Sequence, residues 1–281
     1  MNRKIFALLT LIFTLTIFSA VNAADKVWRL DGVPEIFPRN FRVTDDSKFY
    51  ASASGQPTFS ELKNLFYRLK NIAPDDKKIY MVDLRQESHG YADEYPVSWY
   101  VLKNKANVDK TFSEIERDEI KRLKNLRGKL TEFLPLGNYD TAHFNAVKFA
   151  PKVTLTEKRA AELAGFNYVR FYAQDMAVPS PEVVDEYLKF IAQIDSDAWL
   201  HFHCQAGHGR TTTFLVMYNI LKDQNSALEE IVQRQYNLGG SNLFDGGDKE
   251  NFIKLFYKYA HELQDKNFSS TWSDWLKINV K

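Results

Sequence analysis

The segment His203–Thr211 holds the residues of this chain whose types and spacing could carry out a reaction. The only cysteine, Cys204, is followed by a five-residue spacer, Arg210 and Thr211. An apolar run precedes Cys204 and an amphipathic run follows from Thr212 to Leu221, so we predict a strand, a tight turn and a helix. Such a turn directs several backbone N–H groups and the positive end of the helix dipole at one point.

A thiol at that point should ionise readily, because the surrounding N–H groups stabilise negative charge. Arg210 can bind two phosphate oxygens at once through its planar guanidinium group. Together these groups are what cleavage of a phosphate ester through a phosphocysteine requires. We therefore predict that Cys204 is the nucleophile and that Arg210 is catalytic with it. The residues between them are predicted to bind the substrate phosphate: Gln205, Ala206, Gly207, His208 and Gly209.

Three other interpretations fit parts of this pattern. Cys204 could be an unreactive buried thiol, although glycines and an arginine in register are not typical of one. It could join His201, His203 and His208 in a zinc site, but Arg210 would then place a cation beside the metal. It could also belong to a rhodanese-type loop, which would lack a dedicated proton donor. We predict neither a metal nor a cofactor, and we expect His203 to hydrogen-bond the loop backbone.

A phosphocysteine reaction also needs an acid for the leaving oxygen and later a base for water. Asp175 follows the predicted strand Asn167–Tyr172 in a loop that ends at Pro179. This placement resembles the cysteine phosphatases, in which the acid is an aspartate on a loop upstream of the cysteine and closed by a proline, and the resemblance makes Asp175 the candidate; aspartates also commonly begin loops for structural reasons alone. Thr211 is predicted to hydrogen-bond the thiolate, or else to be an ordinary residue of a helix N-terminus. Since a thiolate and a protonated carboxyl are needed together, we expect an activity optimum on the acid side of neutral.

The remaining pattern predicts an α/β fold. Alternating strands and helices indicate a sheet with helices on both faces and the site at the carboxyl ends of its strands. Residues 86–150 are poorly patterned and are predicted to form an insert or satellite subdomain within a single domain over residues 24–281. A further strand is predicted at Ile79–Leu84. Two helices are predicted from capping boxes: Thr58–Glu61 opens the helix Thr58–Leu69, and Ser113–Glu116 opens a second, charged helix. The other predicted helices are Thr154–Gly165, Ser180–Ile194, Ser226–Tyr236 and Lys249–Leu263.

Composition narrows the class of protein. With 37 basic and 36 acidic residues, the net charge predicts neither a nucleic-acid binder nor attachment to a membrane surface. Met1–Ala23 has the basic start, apolar core and small-residue cleavage site of a signal peptide. We expect export to the periplasm or beyond the cell, with no stable membrane insertion after cleavage. A lone cysteine forms no internal disulfide, so its thiol is expected to take part in chemistry.

Four motifs resemble the protein tyrosine phosphatase-like cysteine phytases, bacterial phosphatases that act on inositol polyphosphates. The motifs are Pro38–Arg42, Val82–Gly90, Asp197–Thr212 and Trp272–Lys277, so the resemblance spans nearly all of the chain after Ala23. It implies a protein tyrosine phosphatase-like sheet with a small partial β-barrel. It also implies phytate as the small-molecule partner and stepwise hydrolysis as the reaction.

The resemblance also implies roles for residues outside the loop. Arg42 is predicted to contact a substrate phosphate, the alternative being a solvated arginine on a sheet edge. Lys249 matches the family's phosphate-binding lysine only loosely, and Asp83–Arg85 is expected to buttress the loop through an internal ion pair. Three positions depart from the family pattern: Asn104 replaces a substrate-facing aspartate, Tyr139 a pocket histidine, and Met176 a histidine that many members have beside the acid.

Two other functions stay open at this point. A secreted protein tyrosine or dual-specificity phosphatase would need an aromatic-lined slot for the tyrosine ring. A catalytically inactive phosphoinositide-binding module would release no phosphate at all. Comparing phosphate release from phytate and from a phosphotyrosyl peptide tests for a protein phosphatase. Loss of activity in Cys204→Ser excludes the inactive binding module.

Overall fold

The computed structural model describes residues 27–44, 49–73, 75–101, 104–135, 146–223, 225–264 and 270–280. The predicted signal peptide and Tyr139 lie outside these ranges. Within them, no helix combines the length and the apolar character needed to cross a bilayer.

The described residues form strands and helices in an alternating order. The strands are β1 (Val27–Leu30), β2 (Arg42–Val43), β3 (Ala51–Gly55), β4 (Ile79–Asp83), β5 (His89–Ala92), β6 (Tyr95–Tyr100), β7 (Thr131–Leu134), β8 (Val147–Phe149), β9 (Thr154–Leu155), β10 (Asn167–Arg170) and β11 (Trp199–Cys204). The helices are α1 (Phe59–Lys70), α2 (Phe112–Leu126), α3 (Glu157–Ala164), α4 (Pro181–Gln193), α5 (Gly209–Lys222), α6 (Leu228–Asn237), α7 (Asp248–Gln264) and α8 (Trp272–Asn279).

The central sheet has the strand order β10-β4-β11-β3-β2. β11 lies between β4 and β3 and is parallel to both, and β10 is parallel to β4. β2 runs antiparallel to β3. The carboxyl ends of the four parallel strands therefore meet at one edge of the sheet, where Gly55, Asp83, Arg170 and Cys204 lie. This confirms the predicted α/β sheet and puts the cysteine at the edge where such sheets bind ligands.

A second sheet has the order β8-β7-β1-β6-β5-β9 and curls into a half-barrel. β1 pairs antiparallel with β6 and parallel with β7, and β9 pairs with β5. The partial barrel implied by the resemblance is therefore present. Its strand β1 lies far before residues 86–150 and β9 lies just after them, so the half-barrel joins β1 to one continuous stretch from β5 to β9.

Helix starts follow local capping chemistry, with two differences from the predicted positions. α1 begins after the predicted capping box of Thr58 and Glu61. The predicted box at Ser113 is wrong, because Thr111 caps α2 and Glu114 completes the box; this register buries Ile115 on the inner face of the helix. α3 starts later than predicted, since Thr154–Leu155 is used as a strand and Thr156 becomes the cap.

Helices pack on both faces of the central sheet, as predicted. The larger apolar cluster includes Tyr187, Phe202 and Phe214, and the cluster on α1 and α3 includes Leu62 and Met81. α5 contacts β11, α6 and α7 and is buried at every position from 210 to 220. The predicted amphipathic character of this helix is therefore wrong, since a helix at the centre of a core has no solvent face. The start of α5 is held rigidly as a result.

Candidate active site

Cys204 is the last residue of β11, and residues 205–208 lead from it directly into α5. Side chains alternate between the two faces of a strand, and Cys204 shares the larger apolar cluster with Leu200 and Phe202. The cysteine is only 3% exposed. The predicted sequence of strand, turn and helix is confirmed.

The histidines of β11 lie on the opposite face of the sheet. The ring of His201 lies between the hydroxyls of Ser52 and Ser54, at 2.9 Å from each. The ring of His203 lies 3.3 Å from Glu157 Oε1 and makes no hydrogen bond to the described residues. The expectation that His203 bonds the loop backbone is therefore wrong. Strand alternation also separates both rings from the thiol, so the alternative zinc set is not assembled.

The loop is held from outside by three side chains of one short segment. The contacts are Arg39 Nη2 to Gln205 O at 2.6 Å, Asn40 Nδ2 to Ala206 O at 2.8 Å, and Arg42 Nη1 to Gly207 O at 2.8 Å. In a trans peptide, a carbonyl and the next N–H point in opposite directions. The N–H groups of residues 206–208 are therefore directed to the inner side of the loop, where they form a cradle for an anion.

Gly207 is required by this packing. Its φ is +76°, and a Cβ there would lie 2.4 Å from the carbonyl carbon of Ser54 and 2.5 Å from the nitrogen of Gly55. Both are backbone atoms of β3, which is paired in the central sheet. The loop thus approaches β3 too closely for any side chain at this position.

The surroundings of Cys204 favour its ionised form. Burial alone would raise the pKa of the thiol, but the charge of Arg210, the side chain and backbone of Thr211 and the backbone of Gly207 together lower it. A thiolate is the nucleophilic form of cysteine. Thr211 is completely buried and acts to lower the pKa of the thiol; its hydrogen bond to the thiolate and its part in turnover stay predictions.

Arg210 is fixed by a carboxylate that the sequence did not single out. Glu87 accepts two hydrogen bonds from its guanidinium, at 2.7 Å and 2.9 Å, and Ala173 O accepts another at 3.2 Å. Burial would lower the pKa of Arg210, but the Glu87 carboxylate raises it. This bidentate pairing fixes the plane of the guanidinium group.

Glu87 is itself one member of a buried chain of ion pairs. Arg85 Nε donates to Glu87 at 2.8 Å, and Arg85 Nη1 contacts Asp31 at 3.0 Å and also Gln56. Arg29 continues the chain with a 2.7 Å contact to Asp31. The predicted ion pair within Asp83–Arg85 is wrong, because Asp83 accepts the backbone N–H of Arg85 at 2.9 Å and pairs with Arg170 at 3.2 Å. The guanidinium of Arg85 pairs with Asp31 and Glu87 instead, so the chain of ion pairs connects Arg210 with β1 of the half-barrel.

Asp175 lies beside Arg210, as the acid assignment requires. Its Oδ1 is 3.4 Å from Arg210 Nε, and its side chain is 27% exposed. Oδ1 also accepts the backbone N–H of Met176 at 3.1 Å, and Oδ2 accepts Asn104 Nδ2 at 2.7 Å. The carboxyl group thus borders both the phosphate-binding group and solvent, from which a leaving oxygen would be reached. Proton transfer by Asp175 stays a prediction.

Arg42 lies against the back of the loop. Besides Gly207 O, its guanidinium contacts Asn40 O at 3.1 Å and Thr212 Oγ1 at 3.5 Å. It is 8% exposed, so the alternative of a solvated edge arginine is wrong. Burial lowers the pKa of Arg42 to about 10, although the Cys204 charge acts to raise it. Its contact with a substrate phosphate stays a prediction, and the contact present in the structure shapes the loop.

Two further predicted residues lie at the rim of the cradle. Lys249, at the start of α7, places Nζ only 2.8 Å from the point where a Cβ on Gly209 would lie. The ammonium group is therefore close to the N-terminus of α5. His208 is exposed, with Nε2 2.9 Å from Asn40 Nδ2; burial and two nearby arginines lower its pKa.

A second buried polar cluster lies under the sheet. Asp83, His89 and Glu157 could geometrically hold a metal ion. His89 Nε2 lies 2.7 Å from Glu157 and 3.1 Å from Asp83. Burial opposes its charge, but Asp83 raises the pKa of His89 to about 9. The imidazolium thus already supplies the positive charge that the two carboxylates need, and a protonated ring cannot ligate a metal.

Comparison with known proteins agrees with this geometry. The family model described as "PTPlike_phytase: Inositol hexakisphosphate" matches residues 82–222, which include Glu87, Asp175, Cys204 and Arg210.

Three solved structures are similar to the whole described fold. Two come from Mitsuokella multacida, a tandemly repeated protein tyrosine phosphatase-like phytase (TM-score 0.84) and a PTP-like myo-inositol phosphatase in complex with myo-inositol-(1,3,4,5)-tetrakisphosphate (TM-score 0.82). Each is 32% identical and matches 89% of this chain and 49% of its own. A PTP-like phytase from Bdellovibrio bacteriovorus is 29% identical, with a TM-score of 0.71 over 89% of this chain and 94% of its own. The chain thus spans about half the length of the Mitsuokella proteins.

Proposed function

The chain belongs to the protein tyrosine phosphatase-like phytase family, whose model matches half of it, and on this premise we propose that it hydrolyses inositol polyphosphates stepwise through a phosphocysteine. The observation that carries the proposal is the buried Cys204, whose lowered pKa coincides with inward-facing N–H groups and a fixed guanidinium. The substrate class is supported by the Mitsuokella relative, which was solved with an inositol tetrakisphosphate.

In the first step, Cys204 Sγ attacks phosphorus while the bond from phosphorus to the ester oxygen breaks. Asp175 transfers its proton to that oxygen, so the inositol leaves as an alcohol. The loop N–H groups and Arg210 stabilise the three oxygens of the phosphoryl group during transfer. The product of this step is a phosphocysteine and an ionised Asp175.

In the second step, Asp175 accepts a proton from water as the water oxygen attacks phosphorus. The sulfur–phosphorus bond breaks, inorganic phosphate leaves and the thiolate is restored. Thr211 can stabilise the departing thiolate through its hydroxyl group. Since this cycle needs a thiolate together with a protonated Asp175, we expect the rate to peak on the acid side of neutral; a rate that keeps rising to pH 9 would contradict the assignment.

The rim of the cradle carries groups suited to a substrate with several phosphates. Lys249 adds a positive charge beside the N-terminus of α5, where it can bind a second phosphate of the same inositol ring. His208 and Asn40 offer polar contacts on the other side. Because these groups bind neighbouring phosphates rather than an aromatic ring, we expect phytate to be preferred to a phosphotyrosyl peptide.

The test compares phosphate release from phytate and from a phosphotyrosyl peptide at equal enzyme concentration. The wild type should prefer phytate, and Cys204→Ser should lose at least about a thousandfold in kcat while unfolding at an unchanged temperature. Rapid quenching with radiolabelled phytate should place phosphorus on Cys204. A higher kcat/KM for the peptide would indicate a protein phosphatase, and release by Cys204→Ser at the wild-type rate would exclude the phosphocysteine.

We also propose that the protein is exported, because Met1–Ala23 has the pattern of a signal peptide. The expected mature protein then begins at Ala24. Terminal sequencing of the protein recovered from the periplasm and the medium checks this, and recovery of the intact chain from the cytoplasm alone would contradict it.

A further inference from the structure

The side chain that contacts the acid from the half-barrel side is Asn104. Its amide nitrogen donates to Asp175 Oδ2 at 2.7 Å, and the residue is 6% exposed. Its backbone has φ +56°, a conformation that asparagine tolerates well, and its N–H bonds Val101 O at 2.7 Å. The contact therefore comes from a buried side chain.

We propose that Asn104 is a positioning residue that fixes which oxygen of Asp175 carries the transferable proton and where that proton points. The inference rests on the proposed function, because it concerns proton transfer to the leaving oxygen. It assigns a role to a neutral amide at a position where the sequence comparison had suggested a substrate contact.

The other oxygen of the carboxyl group is Oδ1. Oδ1 faces the backbone N–H of Met176 at 3.1 Å and Arg210 Nε at 3.4 Å. Both groups can only donate hydrogen bonds. A proton on Oδ1 would therefore point at a donor, and the protonated form of Asp175 carries its hydrogen on Oδ2.

Oδ2 has two lone-pair directions in the plane of the carboxyl group. Asn104 occupies one of them with an N–H, which leaves the other for the transferable hydrogen. The amide thus restricts that hydrogen to a single direction, as a general acid needs before the ester oxygen arrives.

The contact also becomes stronger as the proton leaves. A hydrogen bond to an ionised oxygen is roughly twice as strong as one to a neutral oxygen. Asn104 therefore stabilises the carboxylate that forms during transfer, and an interaction that strengthens along the reaction lowers its barrier. A carboxylate at position 104 would instead share a proton with Asp175, because two adjacent carboxylates do not both ionise freely.

The experiment compares two esters that differ in their need for an acid. p-Nitrophenolate leaves readily without protonation, whereas the alkoxide of glycerol 2-phosphate does not. Asn104→Ala should lose about tenfold in kcat/KM on glycerol 2-phosphate and less than about twofold in kcat/KM on p-nitrophenyl phosphate. The ratio kcat/KM reports the transfer onto Cys204, whereas kcat also contains the hydrolysis step that both esters share. Asn104→Asp, which keeps the size and backbone preference of the residue, should move the alkaline limb of kcat/KM for glycerol 2-phosphate upward by about one pH unit.

Asn107 provides the matched control. It is a buried amide of the same segment, and it donates to Gln86 O and Ser88 Oγ at 3.0 Å each without touching Asp175. Asn107→Ala should change kcat/KM by the same factor for both esters. Two outcomes would overturn the inference and leave the proposed function standing. One is an equal loss of kcat/KM on both esters for Asn104→Ala, and the other is an unchanged alkaline limb of the pH profile of kcat/KM for Asn104→Asp. Wild-type enzyme that releases phosphate from none of the esters, phytate included, would overturn both.

Discussion

Glu87 is the residue that fixes Arg210 in the candidate site. It is completely buried and accepts hydrogen bonds from Arg210 and Arg85. Burial would raise the pKa of the Glu87 carboxyl, but the two arginines hold it well below its usual range. The carboxylate therefore orients the phosphate-binding guanidinium before substrate arrives, which is the kind of preparation that electrostatic catalysis requires.

We predict that Glu87→Gln lowers kcat by at least about tenfold and lowers the free energy of unfolding by about 3 kcal/mol. The amide keeps the shape of the side chain but leaves two buried arginines without a full counter-charge. Steady-state kinetics on phytate and urea unfolding measure the two effects.

Glu119→Gln is the control for this variant, because Glu119 forms an equally buried pair with Arg170 at 2.9 Å and does not touch Arg210. Its stability should fall comparably, while kcat stays within about threefold of wild type. Equal loss of kcat in both variants would mean that Glu87 acts through stability alone.

Local sequence was enough to predict where Cys204 and Arg210 lie, but not which residue fixes Arg210. Cys204 and Arg210 are close in sequence, so a strand, a turn and a helix start were enough to place them. Glu87 reaches Arg210 from 123 residues away, and no local periodicity encodes such a pairing. The usable signal was chemical: an arginine beside a buried thiol needs a counter-charge, and the motif Val82–Gly90 contains two carboxylates, Asp83 and Glu87.

The loop between β11 and α5 is the element on which the anion cradle depends. Its carbonyls are bound from outside and its N–H groups face inward because the chain turns at Gly207 against β3. A side chain there would meet backbone atoms that are paired in the central sheet, so neither partner can move aside.

Gly207→Ala should therefore reduce kcat on phytate by about a hundredfold or more, since displacement of catalytic groups by about 1 Å has that effect. Gly239→Ala is the matched variant: its φ is also positive, at +94°, but no atom lies within 4 Å of the added Cβ. It should cost about 1 kcal/mol of stability and keep its activity. Full activity in Gly207→Ala would show that the loop has another stable conformation.

Helix ends were predicted well where one capping residue was available. Thr58 and Ser180 cap α1 and α4 as expected. At α2, Thr111 and Ser113 both precede a glutamate at the correct spacing, and the structure uses the first, with Ile115 buried. The amphipathic reading of α5 failed because its threonines and Asn219 are polar yet buried, which no residue pattern distinguishes from a solvent face.

Across the whole molecule, buried charges link the central sheet to the half-barrel. Asp83, Glu87 and His89 lie in the short connection from β4 to β5, and each is ion-paired and less than 2% exposed. Burial acts to raise the pKa of the Asp83 and Glu87 carboxyls, but His89, Arg170, Arg85 and Arg210 hold both well below their usual range. The folded state therefore depends on the ionised form of all three groups.

Stability should consequently be greatest between about pH 5 and pH 6.5. The pKa values of the Asp83 and Glu87 carboxyls are lowered in the folded state. Their contribution to the free energy of unfolding is therefore present above the pKa values of the unfolded chain, and it is lost as pH falls. His89 has its pKa raised from 6.5 to about 9, so its contribution is complete below pH 6.5 and disappears as pH rises through about 9, a loss on the order of 3 kcal/mol.

Urea unfolding from pH 4 to pH 10 checks this, with His89→Gln and His261→Gln compared. His89→Gln should flatten the loss of stability at alkaline pH. His261→Gln should keep this loss, because His261 lies on α7, packs on Tyr257 and is not part of the cluster of Asp83, Glu87 and His89. An unchanged alkaline slope in His89→Gln would show that the histidine is not the group responsible.

The clamp formed by Arg39, Asn40 and Arg42 has a consequence for how the chain matures. These donors lie about 165 positions before the carbonyls that they grip, so the clamp closes only after the two distant regions of the chain have come together, a slow event in folding. During refolding, we expect the helical signal to recover first and turnover to return later. A partly folded chain is therefore expected to be inactive, and activity should appear only after residues 39–42 have packed against the loop at residues 205–207.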